Sequence, residues 1–459
     1  RLAEVFLQVC ERHRRHRDYT RFELRQALAE VAACFPVYRT YVQAEAGKVS
    51  EEDRRHIETA IAAAKVHRPD LDPELLEFFR AILVLEVRGE PESELVMRFQ
   101  QLTSPTMAKG VEDTAFYNFH RLISLNEVGG SPGDFGVSPE SFHQECLNAQ
   151  RLWPRAMLST STHDTKRSED VRLRISLLSE VPEAWGSTVR RWFERNAQHR
   201  SGPGPDRNAE YLLYQTLVGA WPLSAERAWI YMEKAIREAK AHTSWTRQEP
   251  EYEQAVREFA EAVLADPEFV AEVEAFVAPL IEPARVHSLA QTLLKLTSPG
   301  IPDFYQGTEL WDLSLVDPDN RRPVDYEQRR RLLAELKAGL TPEEILKRMD
   351  DGLPKLWVTH QGLQLRRRLS PAFGPESPYE PLPIEGGRCW HALGLVRGGE
   401  VAVVIPRLVV RLGGDWKDTS VDLPPGRWHN ELTGEDVEGG NQPVADLLAR
   451  FPVALLSRL

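Results

Sequence analysis

Three stretches of this chain, residues 99–119, 155–172 and 291–312, share one layout: an apolar run, a loop dense in polar groups, then a helix. That repetition restricts the fold more than any other feature. A strand that ends in a polar loop and returns through a helix suits a parallel sheet with helices outside it. In a (β/α)8 barrel the reactive side chains stand at the C-terminal ends of such strands. Three units are fewer than eight, and closing a barrel takes the full set with matched tilt and shear. The expected fold is α/β, the C-terminal part of a (β/α)8 TIM-type barrel with large helical insertions, followed by an all-β domain.

Patterning along the chain divides it accordingly. Residues 1–95 read as nearly continuous amphipathic helix, with "RFELRQALAEVAACF" and "PELLEFFRAILVLE" carrying apolar residues at three- and four-residue spacing. Residues 96–340 hold the barrel-like units, beginning with a strand-like "FQQLTSPTMAKGVEDTAFYNF", together with a helical insertion at about 208–290. From 355 to 459, short runs such as "LQLRRRL", "HALGLVR" and "FPVALLSRL" predict a β-sandwich-like domain.

Composition narrows the partners. A formal net charge of −12 argues against nucleic acid or an anionic membrane as the main partner. No run of about twenty apolar residues is present. Cys10, Cys34, Cys146 and Cys389 lie far apart without CxxC spacing, which fits reduced thiols, a cytoplasmic location and no zinc site or cofactor. The sequence opens on Arg1, already mid-helix in pattern, as a trimmed chain or part of a longer protein would.

The second unit holds the densest chemistry. In "STSTHDTKRSED" (159–170) an apolar run gives way to small hydroxyl residues and a His163-Asp164 pair, and helical spacing resumes at Val171, Ile175 and Leu178. An aspartate there has two readings: a ligand to substrate, or the N-cap of the following helix. Arg167, Glu169 and Asp170 fit a charged first helical turn.

The segments "STHDTKRSEDVRLRI", "KGVEDTAFYNFHRLISLNEVGG" and "PGIPDFYQGTELWDLSLVDPDNRRPVD" resemble malto-oligosyltrehalose synthase, an intramolecular transglycosylase family of the α-amylase superfamily. The resemblance runs from "ACFPVYRTYV" (33–42) into the C-terminal β region. It implies that Asp164 is the third carboxylate of the superfamily's site, holding sugar hydroxyls at an oxocarbenium-like transition state, with His163 donating beside it. It also implies substrate contacts from Lys109, Lys166, Glu112 and Tyr117, the lysines on the acceptor side where the reducing-end glucose turns over. Solvated surface lysines, and core packing of Phe116 and Tyr117, stay open as alternatives. Tyr305, Gln306 and Glu309 read as structural, and Asp319, Arg321 and Arg322 as an ion-pair network, with a sugar contact from one arginine the alternative.

A retaining glycosidase needs a nucleophile and an acid/base about 5–5.5 Å apart. The superfamily supplies them from a GxRxD motif and a later glutamate. The chain contains no GxRxD, and neither Glu112 nor Glu127 fits the missing roles. The partners of Asp164 are therefore expected upstream of Arg1, in an N-terminal barrel half, with this chain inactive alone. The implied reaction converts the reducing-end α-1,4 linkage of a maltodextrin to α,α-1,1. An α-glucan hydrolase of the same superfamily and a noncatalytic glucan-binding fragment are the alternatives.

Overall fold

A computed structural model describes all residues, Arg1–Leu459. The chain forms two compact units, Arg1–Asn118 and Phe119–Leu459.

The first unit is helical. Helices α1 (Leu2–Arg12), α2 (Arg21–Ala33), α3 (Glu51–His67), α4 (Pro73–Leu83) and α5 (Glu90–Met107) each bury an apolar stripe. Three of the five starts carry side-chain caps. Thr20 and Glu23 form a reciprocal capping box on α2, Ser50 caps α3, and Asp72 caps α4 ahead of Pro73. The rings of Phe6, Phe79 and Phe99 meet at the core, with centroids 4.9 Å apart in each successive pair.

The stretch after 96 is helix rather than strand. Leu95, Val96, Phe99, Gln100 and Thr103 are buried at helical spacing, a period that a strand cannot present to one core. Pro105 lies inside α5, and the chain continues as a π-helical turn, Ala108–Glu112. A proline removes a backbone donor, and wider turns of this kind accommodate such interruptions.

In the second unit, helices α6 (Pro139–Leu152), α7 (Glu169–Ser176), α8 (Pro182–Arg195), α9 (Arg207–Ala220), α10 (Ala225–Ala239), α11 (Pro250–Ala265) and α12 (Pro267–Thr297) precede α13 (Tyr326–Lys337), α14 (Pro342–Leu346) and α15 (Leu353–Arg368). Trp192 is fully buried, with Tyr214, Phe269 and Phe276 against its ring. Strands β1 (Met157–Leu158) and β2 (Ile301–Pro302) form a short parallel pair. The apolar run at 291–297, expected as strand, is the end of α12, and β2 is correspondingly short.

Seven further strands make one antiparallel sheet: β3 (Tyr379–Leu382), β4 (Ile384–Glu385), β5 (Ala392–Arg397), β6 (Val401–Pro406), β7 (Ser420–Asn430), β8 (Asp436–Pro443) and β9 (Ala454–Arg458). Their order is β3-β5-β6-β9-β7-β4, with β8 also on β7. The central strands are buried on both faces. Leu395, Val403 and Leu455 share a core with Leu296 and Leu365 of α12 and α15, while Val396, Val404 and Leu456 pack with Trp428 and Val421. "LQLRRRL" is the last part of α15 rather than a strand, because Leu356, Thr359, Gly362 and Leu365 bury a helical face. Two observations therefore stand on the expected fold: helices with a C-terminal antiparallel sheet, and a two-stranded parallel pair where three barrel-like units were anticipated.

Candidate functional site

The parallel pair sets the position of the His-Asp segment. Ile301 N–H donates to Ala156 O at 2.9 Å and Asp303 N–H to Leu158 O at 2.8 Å, so both strands end at the loop that begins with Ser159. Gly300, at φ +135°, precedes β2 where a Cβ would meet Leu158 Cγ at 2.6 Å and Ala156 O at 2.7 Å. Only glycine tolerates both that backbone angle and that approach.

The loop folds on its own hydroxyls. Asp164 N–H donates to Thr162 Oγ1 at 3.1 Å, and Thr165 Oγ1 donates to Thr162 O at 3.0 Å. Small hydroxyl side chains compete with the backbone for local bonds, which is why this segment is a turn and not more helix. The N-cap of α7 is Ser168, whose Oγ accepts from Val171 N–H. Asp164 is not the cap, and the helix start therefore gives no account of its carboxylate.

His163 and Asp164 are exposed at the tip of the turn. Both side chains project from a segment whose two ends are held by buried and half-buried groups. On one side, Glu127 accepts Lys166 N–H at 2.8 Å and Arg167 N–H at 3.4 Å, and its carboxylate pairs with Arg172 at 2.7 Å. The Arg167 guanidinium, 2 % exposed, donates to Ile123 O at 3.2 Å and Tyr231 Oη at 2.7 Å. On the other side, Asn320 Nδ2 donates to His163 O at 3.2 Å, and Tyr305 Oη donates to Asn320 O at 3.1 Å.

Below the turn lies a buried charge network. Lys355 Nζ is 2.7 Å from Glu169 and 2.9 Å from Asp170. Lys295 is 3.6 Å from Glu169 and donates to Thr160 Oγ1 at 2.8 Å. Asp170 also accepts the Asp312 N–H at 2.7 Å and the Ser288 hydroxyl. Burial alone would raise the Glu169 carboxyl, but Lys355 and Lys295 outweigh it and hold it down at about 2. Asp170 is shifted up, because burial and the Glu169 charge exceed the pull of Lys355. Burial pushes Lys295 down, whereas the two carboxylates drive Lys355 up against its burial. Three helices, α7, α12 and α15, are joined here beneath the exposed pair.

The other expected residues divide between the units. Lys166 is 3 % exposed, which leaves the solvated-surface reading without support. In the first unit, Lys109 and Glu112 lie on the π-helical turn, Lys109 exposed and paired with Asp113, Glu112 buried and accepting from the Tyr38 hydroxyl. Tyr117, 4 % exposed, sits in the 3-10 turn Ala115–Tyr117. Asp319, Arg321 and Arg322 do form ion pairs: Asp319 with Arg227 at 2.7 Å and Arg322 at 3.1 Å, Arg321 with Asp317 at 3.7 Å. Glu309 pairs with Arg329 at 2.9 Å.

Sequence reading set Glu169 and Asp170 aside as a charged helical turn. They are in the first turn, but buried against two lysines distant in sequence. Only the burial of Val171 and Ile175 beside them hinted at this. Glu127 was weighed only as a reacting carboxylate, and its use is to clamp the turn's backbone.

No protein-family model matches the chain. A curated Mycobacterium tuberculosis (H37Rv) protein bearing the name maltooligosyl trehalose synthase is 41% identical over 405 residues, which is 86% of this chain and 49% of that protein. The structure of maltooligosyltrehalose synthase from Arthrobacter ramosus superposes with a TM-score of 0.85 at 36% identity, covering 100% of this chain and 56% of that one. A glycosyltrehalose synthase from strain DSM5389 gives 0.75 at 30% identity, with 100% and 56% covered. The chain spans about half the length of the relatives it matches.

Proposed function

We propose that this chain, which belongs to the maltooligosyltrehalose synthase family, supplies the transition-state-holding part of an intramolecular glucosyl transfer. The whole protein's reaction converts the reducing-end α-1,4 linkage of a maltodextrin to α,α-1,1. The observation that carries the reading is the contrast at residues 162–168. The backbone around the turn is clamped by Glu127, Arg167 and Asn320, while His163 and Asp164 themselves face solvent. A rigid support under two free polar groups is what binding a ligand's hydroxyls needs, and it has no evident value for folding.

In this reading Asp164 accepts from hydroxyls of the glucosyl ring and His163 donates to one. These bonds tighten as the ring flattens, and such contacts supply several kcal/mol. The nucleophile and acid/base come from the half of the relatives that this chain does not span. The nucleophile takes C1 as the C1–O4 bond breaks, and the acid protonates O4 of the departing glucose. That glucose turns over, its anomeric O1–H attacks C1, and the proton returns to the base. No water is consumed, so water must be kept out. Lys166 contributes a donor to sugar hydroxyls; within the first unit, taken by itself, Lys109, Glu112 and Tyr117 are likewise read as substrate contacts. Strands β1 and β2 are read as two strands of a (β/α)8 barrel completed by the same missing half. What supports this is their parallel pairing and the polar loop at their C-terminal ends.

The test uses maltopentaose and follows loss of reducing ends against release of free glucose. This chain joined to the other half of a maltooligosyltrehalose synthase should consume reducing ends with little glucose set free. Turnover by residues 1–459 alone would place the nucleophile within them and refute the reading. Glucose release without isomerised product would indicate a hydrolase.

A further inference from the structure

We propose that Glu30, Cys34 and His67, in the first unit, form a site for a Zn²⁺ ion. Glu30 lies one turn before Cys34, the residue that closes α2, and His67 is the last residue of α3. Cys34 Sγ is 3.6 Å from Glu30 Oε1 and 3.6 Å from His67 Nδ1, and His67 Nδ1 is 3.8 Å from Glu30 Oε1. Zinc bonds of about 2.3 Å to sulfur and about 2.0–2.1 Å to nitrogen and oxygen give tetrahedral edges of roughly 3.5 Å from sulfur and 3.4 Å from nitrogen to oxygen. Each edge here is within about half an ångström of that figure, so closing on the ion takes only small side-chain movement.

Two further observations favour a cation. The cluster gathers the C-terminal ends of two helices, where exposed carbonyls carry partial negative charge, and the last turn of α2 contains no basic residue. Two cations beside His67 are engaged elsewhere: Arg68 by Asp70 at 2.8 and 2.7 Å, and Lys65 by Glu77. The donor set of thiolate, imidazole and carboxylate suits zinc, whereas calcium and magnesium prefer oxygen alone. His67 is 66% exposed, which leaves the fourth corner to water. Such an ion joins α2 to α3 and is independent of the transfer reaction.

Without metal the Cys34 thiol donates to Glu30 Oε1 at 3.6 Å. Binding breaks the Cys34 S–H bond and forms a Zn–S bond, and the proton leaves to buffer. His67 contributes its Nδ1 lone pair, with the proton on Nε2, and no redox change occurs.

The experiment is a Co²⁺ titration of the reduced, chelator-stripped chain. The expected result is a thiolate-to-cobalt charge-transfer band with tetrahedral d–d absorption, saturating at one equivalent and displaced by Zn²⁺. Cys34→Ser should abolish the charge-transfer band, and His67→Ala should weaken binding by about tenfold or more. Cys389→Ser, at the other partly exposed cysteine, should change neither. Circular dichroism checks that each variant is folded. Absence of the band in the parent chain, its survival in Cys34→Ser, or a purely octahedral spectrum would overturn the site.

Discussion

Replacing Lys355 by Met removes the ammonium that serves both buried carboxylates while keeping an unbranched chain of similar length. Lys355 is fully buried, 2.7 Å from Glu169 and 2.9 Å from Asp170. Deleting one partner of a buried pair leaves an uncompensated charge and costs about 3–5 kcal/mol. Unfolding entropy of about 2.1 cal/mol/K per residue, over the roughly 340 residues of the second unit, is about 0.7 kcal/mol/K, so the melting temperature should fall by about 4–7 °C at neutral pH. The pH dependence gives a second reading. With Glu169 held down at about 2, its contribution is present above the ordinary carboxylate range and is lost only as pH falls toward that value. In Lys355→Met the two carboxylates lose their main countercharge and take up protons at milder acidity, which relieves the penalty. The gap between parent and variant should therefore narrow on going from neutral pH to mildly acid pH. Differential scanning calorimetry at the two values measures it. A loss of less than about 1 kcal/mol at neutral pH, or a gap that widens in acid, would refute the idea that this network is a charge-balanced support.

Three other outcomes follow from the geometry. Gly300→Ala should destabilise the chain by about 2 kcal/mol or more, because the added Cβ meets Leu158 and Ala156 O at a left-handed backbone angle; thermal unfolding reads it. Ser168→Ala removes the N-cap of α7 and should cost about 1 kcal/mol by the same assay, with Asp164→Ala costing far less since Asp164 is not the cap. His120 and His287 are each lowered to about 4 by burial, so the unfolded chain binds their protons first as pH falls from about 6.5. Stability should drop across that interval, by up to about 3 kcal/mol for each histidine, and His287→Gln should flatten the pH profile of the melting temperature.

How much of this could be read from sequence depends on range. Local signals were legible: the hydroxyl-rich turn at 160–165, the capped helices α2, α3 and α4 of the first unit, and the short apolar strands at 392–406 all follow from neighbouring residues. The apolar runs at 96–103 and 291–297 were misassigned as strands, because a short apolar run looks alike in a buried helix and a buried strand. Glu169 and Asp170 looked like ordinary first-turn acids, since nothing nearby in sequence announces Lys295 or Lys355. Glu127 and Asn320 were similarly hidden. Each acts through a backbone contact, with partners 39 and 157 positions away. The exposed turn carrying His163 and Asp164 was legible because a polar turn after an apolar run is a local feature.

We propose that Asp164 holds sugar hydroxyls at the transition state of a transfer whose reacting carboxylates lie elsewhere. The most direct test is the kinetics of Asp164→Asn, in the chain joined to the half of the relatives that it does not span, with maltopentaose as substrate. kcat should fall by about 10²–10³-fold or more, with KM changed much less and the melting temperature unmoved. An unchanged kcat, or a loss confined to KM or stability, would contradict it.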